Sequence, residues 1–136
     1  MNIQTVHILE QGVVKILNLD GWDLDWCGGK FEHYDAIGET PKGRQCIIEM
    51  KFRKKYYETK MLEKYKYEKL MDMPEDMIKI YFVADPNGNY FFWLNNIELS
   101  PISELYCPST TLWNGAKKNK EVYLLEESQA AIINLL

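Results

Sequence analysis

The sequence has few cysteines and no Cys-x-x-Cys pair; Cys27, Cys46 and Cys107 are its only three. That spacing argues against a structural zinc site. An odd, scattered count favours free thiols in a reducing compartment over a disulfide framework. Cys46 lies in an apolar run and reads as a small core residue. No apolar run approaches the roughly 18 residues that a membrane-spanning helix needs. The N-terminus, MNIQTVHILEQG, lacks the basic start and small-residue cleavage site of a secretion signal. A cytoplasmic protein without membrane association is therefore expected. Repeats, low-complexity tracts and Pro/Gly/Ser-rich linkers are also missing. A chain of 136 residues without them is expected to form one domain, 1–136, around one core.

What is present is apolar material and an uneven charge. Hydrophobic residues make up 46% of the chain, enough for a packed globule rather than disorder. The net charge of −4 weighs against a nucleic-acid partner in bulk, but Lys51 to Lys69 holds eight basic and three acidic residues. A basic strip on an acidic protein can still track phosphates; it also reads as an ordinary solvated face.

Periodicity gives a coarse layout. Thr5–Leu19 reads as a helix with an apolar stripe of Ile8, Val13, Ile16 and Leu17, stopped by Asp20-Gly21. Trp22–Trp26 alternates Trp and Leu with Asp, the period-2 mark of a half-exposed strand. His33–Ile37 and Gln45–Phe52 are two further strands joined through Thr40–Gly43, the second apolar enough to be central. Thr59–Met73 reads as a helix with Thr59 as N-cap and Met61, Leu62, Tyr65, Leu70 and Met73 buried. Met77–Ala84 and Tyr90–Leu94 are strands around an Asp85–Gly88 turn. The sequence from there to Lys120 reads as irregular, Glu121–Leu125 as a short strand and Ser128–Leu136 as a terminal helix. The expected class is α/β, a mixed central sheet flanked by helices in the order αβββαββ.

The third strand carries the chemistry. Its apolar residues run directly into Glu49-Met50-Lys51, and residues i and i+2 of a strand share a face. Glu49 and Lys51 therefore sit side by side at the end of a central strand, where an unpartnered charge is costly. Asp35 belongs to the preceding strand. Two carboxylates on neighbouring strands repel unless a cation lies between them, and oxygen ligands suit Mg2+ or Mn2+ rather than zinc. An adjacent ammonium would steady charge growing on a phosphate. Taken singly, Glu49 and Lys51 read more simply as a same-face ion pair on an edge strand, and Asp35 as a turn residue.

In combination, "HYDA" followed by "IIEMK" resembles the D-x(n)-(E)-x-K signature of the PD-(D/E)xK nuclease superfamily. The resemblance implies a restriction-endonuclease-like core over roughly residues 5–94. It also implies catalytic roles for Asp35, Glu49 and Lys51, and a metal shell of Asp35, Glu49 and the Met50 carbonyl. Tyr34 stands where a proline often precedes the aspartate. The phrases "KFEHYDAIG", "IIEMKFRKKYYETKMLEKYKYEKL" and "CPSTTLWN" are similar to small phage-type nucleases related to Holliday-junction resolvases. Superfamily members often place an acid on the first helix, which points to Glu10, and polar residues on the helix after the motif, which points to Glu63 and Lys66. A solvated glutamate and a surface salt bridge are the alternatives for these. Arg53, Lys54 and Lys55, with Lys60 and Lys64 on the following helix, are assigned to DNA backbone contacts. His33 shares the face of Asp35 and could hydrogen-bond a water or phosphate there; a plain strand surface residue is the alternative. Tyr56 and Tyr57 read as core caps or sugar and base contacts. Thr110, Thr111 and Trp113 suggest a loop over the site or a subunit contact.

Two functions follow. One is an Mg2+- or Mn2+-dependent DNA endonuclease acting on branched or structured DNA, in phage or prophage DNA processing and hence in the host cytoplasm if phage-encoded. A homodimer is expected if the substrate has two-fold symmetry. The other is a catalytically silent nuclease fold that binds DNA or a protein through residues 51–69. An inhibitor or adaptor with an aromatic interface is a weaker third reading.

Overall fold

The computed structural model of the chain describes residues 1–30, 32–108 and 117–131. Helix α1 (Ile3–Leu19) begins at Asn2, whose side chain accepts the Thr5 N–H, and ends in a turn at Asp20-Gly21. Its buried side is Val6, Glu10, Val14 and Leu17. The expected stripe is thus displaced: Leu17 belongs to it, while Ile8 and Ile16 point outward, 69% and 68% exposed. The Asn18 carboxamide bonds both the N–H and the C=O of Leu24, fixing α1 against β1 (Asp23–Trp26).

Strands β1, β2 (Ala36–Glu39) and β3 (Gln45–Phe52) form an antiparallel meander. The second strand starts at Ala36 rather than His33; residues 32–35 are bent, and β2 follows them. The chain then leaves the sheet and returns as β5 (Ile78–Asp85), parallel to β3, with β6 (Gly88–Trp93) antiparallel to it at the edge. The sheet order is β1-β2-β3-β5-β6, so β3 is central and buried on both faces, as its apolar run requires.

The excursion between β3 and β5 departs most from expectation. Thr59 caps no helix. Residues Thr59–Glu63 form strand β4, and only Lys64–Met71 forms α2. The segment expected to be irregular contains β7 (Ser103–Pro108), and the expected short strand at Glu121–Leu125 is part of the longer β8 (Lys117–Glu126). These strands make a second antiparallel sheet, β4-β8-β7. Glu127–Gln129 is a single 3-10 turn where the terminal helix was expected to begin; the remainder of that expectation, and Thr110, Thr111 and Trp113, lie outside the described residues.

The main sheet separates two apolar clusters. One packs α1 residues Val14 and Leu17 against Leu24, Ala36, Ile48, Met50 and Ile80. The other packs Leu62, Leu70 and Leu125, from β4, α2 and β8, against Ile47, Tyr81 and Phe92. The layers are therefore helix, sheet, and a mixed layer of helix and small sheet. No helix among the described residues is long and apolar enough to cross a membrane.

Candidate active site

Strand β3 is the platform. Cys46, Ile47 and Ile48 are fully buried between β2 and β5, which anchors the polar end of the strand. Alternation sends Glu49 to the Ile47 face, toward α2 and β4, while Met50 follows Ile48 toward α1. Asp35, just before β2, is tied to β3 twice. Its N–H donates to the Ile48 carbonyl at 2.8 Å, and its Oδ2 accepts the Met50 N–H at 2.8 Å. Glu10 comes from the middle of α1, 5% exposed, with Oε1 accepting the Trp26 Nε1–H at 3.0 Å. Glu63 is the last residue of β4, and Lys66 lies one turn into α2.

All seven residues expected at the site line one pocket of about 500 Å³: Glu10, Asp35, Glu49, Met50, Lys51, Glu63 and Lys66. They come from four elements, α1, β3, β4 and α2, and from the bend before β2, with Asp35 in electrostatic reach of Glu49 and Lys51.

The electrostatics are those of acids crowded away from water. Burial, then the charge of Asp35, pushes the Glu10 carboxyl up to about 7, and the two side chains hydrogen-bond each other. Burial and the same aspartate push Glu49 up to about 8, opposed by the ammonium groups of Lys66 and Lys51. Asp35 itself is raised by burial, against the Met50 N–H and the two lysines. Burial lowers the Lys51 ammonium, although Glu49 and Glu63 support its charge. Lys66 Nζ stands 3.5 Å from Glu49 Oε1. Glu63 is buried in part yet held below the usual carboxylate range by a hydrogen bond from Lys120 at 2.8 Å and by Lys51. Perturbed acids paired with a buried lysine in a cleft are the pattern of a functional site.

Several residues that line the pocket or hold its side chains were not singled out in the sequence. Trp26 positions Glu10, and His7 packs edge-on against Trp26 at 5.1 Å. Lys30 and Lys120 also line the cavity. Gly28 leaves room for the acid: a Cβ there would lie 2.5 Å from Glu10 Oε1 and from the Trp26 ring. A strand alternation ending in Trp26, followed at once by Gly28-Gly29, was the available signal for that wall. Lys120 had none, because its strand was read as irregular sequence.

The basic strip divides. Lys54 and Lys55 are exposed and Arg53 half-buried, directly after β3. Lys64 is partly exposed and pairs with Glu68 and Glu121, each at 3.5 Å. Lys60 is not a backbone contact. It is 3% exposed, bonded to Asp85 at 2.6 Å, to Glu127 at 3.1 Å and to the Tyr57 carbonyl, with the Tyr56 and Tyr90 rings each 4.4 Å away. It lies in β4, where alternation turns it inward with Leu62. His33 is exposed, beside the Tyr65 ring, and does not line the pocket.

No family model and no curated protein matches the chain. Among solved structures, Hjc of the archaeal hyperthermophile Archaeoglobus fulgidus, a Holliday junction resolvase, is similar at 16% identity with a TM-score of 0.59. The match covers 89% of this chain and 83% of that one. At this identity the likeness is one of fold, and the mixed sheet with its flanking helices is a restriction-endonuclease-like core.

Proposed function

We propose that the chain is a divalent-metal-dependent endonuclease that hydrolyses phosphodiester bonds of branched DNA. The supporting observation is the meeting of Glu10, Asp35, Glu49 and Lys51 in one pocket, on a fold shared with a Holliday junction resolvase. The donor chemistry fits a hard cation: carboxylate oxygens held protonated by burial first and by the charge of Asp35 second, both of which Mg2+ or Mn2+ would offset. Among the described residues no three His, Cys, Asp or Glu side chains already converge as a metal cluster. Glu10 is bonded to Asp35, and Glu49 is paired with Lys66; holding an ion requires these contacts to open.

When bound, the ion supplies Lewis-acid charge at the scissile phosphate. Asp35, Glu49 and the Met50 carbonyl hold it, with Glu10 beside them. Lys51 presents its ammonium to the phosphoryl oxygens, where negative charge grows as water attacks in line and the P–O bond to the leaving oxygen breaks. Glu63 supports the charge of that lysine, and Lys66 pairs with Glu49. Arg53, Lys54 and Lys55 grip the backbone without reading sequence. A four-way junction has two-fold symmetry, so a homodimer with one site per strand accompanies this substrate.

The test is incubation with linear, supercoiled, flapped and four-way DNA, with and without Mg2+ or Mn2+. Cleavage of branched forms only with metal, lost in Glu49→Ala and Lys51→Ala proteins that still fold, is expected. Full activity in either variant refutes the proposal. Metal-independent binding without nicking of any form supports the silent binding module instead.

A further inference from the structure

We propose that Lys120, on the small sheet, is a positioning residue for the pocket: its ion pair with Glu63 leaves Lys66 free to serve Glu49. The inference rests on the pocket being the active site.

The geometry begins with a residue in an unused local role. Glu63 occupies the N-cap position of α2 but makes no side-chain capping bond. Its carboxylate turns into the pocket and meets Lys120 Nζ at 2.8 Å. The two side chains are only 17% and 12% exposed, so this is not a solvated surface pair. Register explains the meeting. Glu63 lies opposite Val122, and Lys120, two residues earlier on β8, shares the Val122 face and stands on the diagonal.

Three lysines and two glutamates are therefore arranged in the pocket wall. Lys66 bonds Glu49 at 3.5 Å, a loose pair, while its charge also bears on Glu63. Remove Lys120, and Glu63 is a mostly buried carboxylate whose nearest remaining cations are Lys51 and Lys66. Lys66 then swings toward it and away from Glu49. The second sheet thus supplies both members of the pair, Glu63 from β4 and Lys120 from β8, and Lys120 acts through Glu63 and Lys66.

Kinetics on whichever DNA the wild-type protein cleaves test this. Lys120→Ala is expected to lower kcat about tenfold or more with KM within about twofold, the pattern of a lost transition-state interaction. Lys120→Arg is expected to recover most of the loss. In a Glu63→Gln background, which lacks the carboxylate that draws Lys66 away from Glu49, Lys120→Ala is expected to cost no further activity. Amide hydrogen exchange of the metal-free protein gives a reading independent of activity: residues 62–66 should exchange faster in Lys120→Ala but not in Lys120→Arg. If alanine fails to fold, Lys120→Met keeps the aliphatic stem and tests the charge alone. Wild-type kcat in Lys120→Ala, an effect confined to KM and salt dependence, additive losses, or unchanged exchange each overturn the inference. A wild-type protein that cuts no DNA instead removes the functional reading, while exchange still decides whether Lys120 holds the β4–α2 junction.

Discussion

Replacing Glu49 by glutamine should stabilise the metal-free protein while destroying its activity. Glu49 is 4% exposed, and its proton is retained up to about 8 in the fold. In the unfolded chain it is lost near the ordinary 4.5. The folded state therefore binds more protons between these values, and stability falls as pH rises through that window. Taken alone, this displacement corresponds to about 5 kcal/mol. Glu10, Asp35 and Glu49 titrate together, so the share recovered by one substitution is smaller, about 2 kcal/mol. For a domain of this size that is roughly 4–12 °C in Tm. Thermal unfolding in EDTA from pH 5 to pH 9 reads it directly. Wild type and Glu49→Gln should differ least at pH 5, near the unfolded-chain value, and separate steadily up to about pH 8 with the variant higher. Mg2+ should then raise the wild-type Tm, since a ligand bound only by the folded state stabilises it, and leave the variant unmoved. Parallel curves across the whole range would refute the claim that ionised Glu49 is destabilising without metal.

Other perturbations separate the roles of neighbouring residues. Lys60→Met leaves Asp85 buried without its ammonium and should cost about 3–5 kcal/mol in urea unfolding, with no change in the salt dependence of DNA binding. Alanine at Lys54 and Lys55 together should weaken binding of all sequences alike and flatten the log K against log salt slope by roughly 0.9 for each phosphate no longer neutralised. Gly28→Ala should crowd Glu10 and Trp26, costing about 1–3 kcal/mol and more than tenfold in cleavage. A Gly28→Ala protein with wild-type activity would show that Glu10 needs no fixed wall.

The parts of the fold legible in the sequence were those whose partners lie close by. Gln45–Phe52 was readable to the residue because a strand buried on both faces must be continuously apolar. Glu49 and Lys51 stood out for the same reason, since charges ending such a run need an explanation. Thr59–Glu63 misled because its buried alternate positions are Lys60 and Leu62. A lysine at an inward position erases the period-2 signal, and the neighbouring Met61, Leu62 and Tyr65 imitate a helical stripe. Helix α1 hid its inward side similarly: Val6, Glu10, Val14 and Leu17 are correctly spaced, but the acid interrupts the apolar pattern while Ile8 and Ile16 supply a false one. In both elements the deceptive residue is a buried charge. One belongs to the site and the other to the Lys60–Asp85 pair.

Among the described residues, strand β4 has no neighbour in the main sheet and pairs with β8 alone. Glu63 and Lys120 are separated by 57 positions, so their contact closes a long loop. Glu49 and Lys51 on β3 can be placed as soon as β5 docks, but the far wall waits for β8. A ribosome-bound chain therefore carries Asp35, Glu49 and Lys51 well before β8 can close the far wall of the cavity.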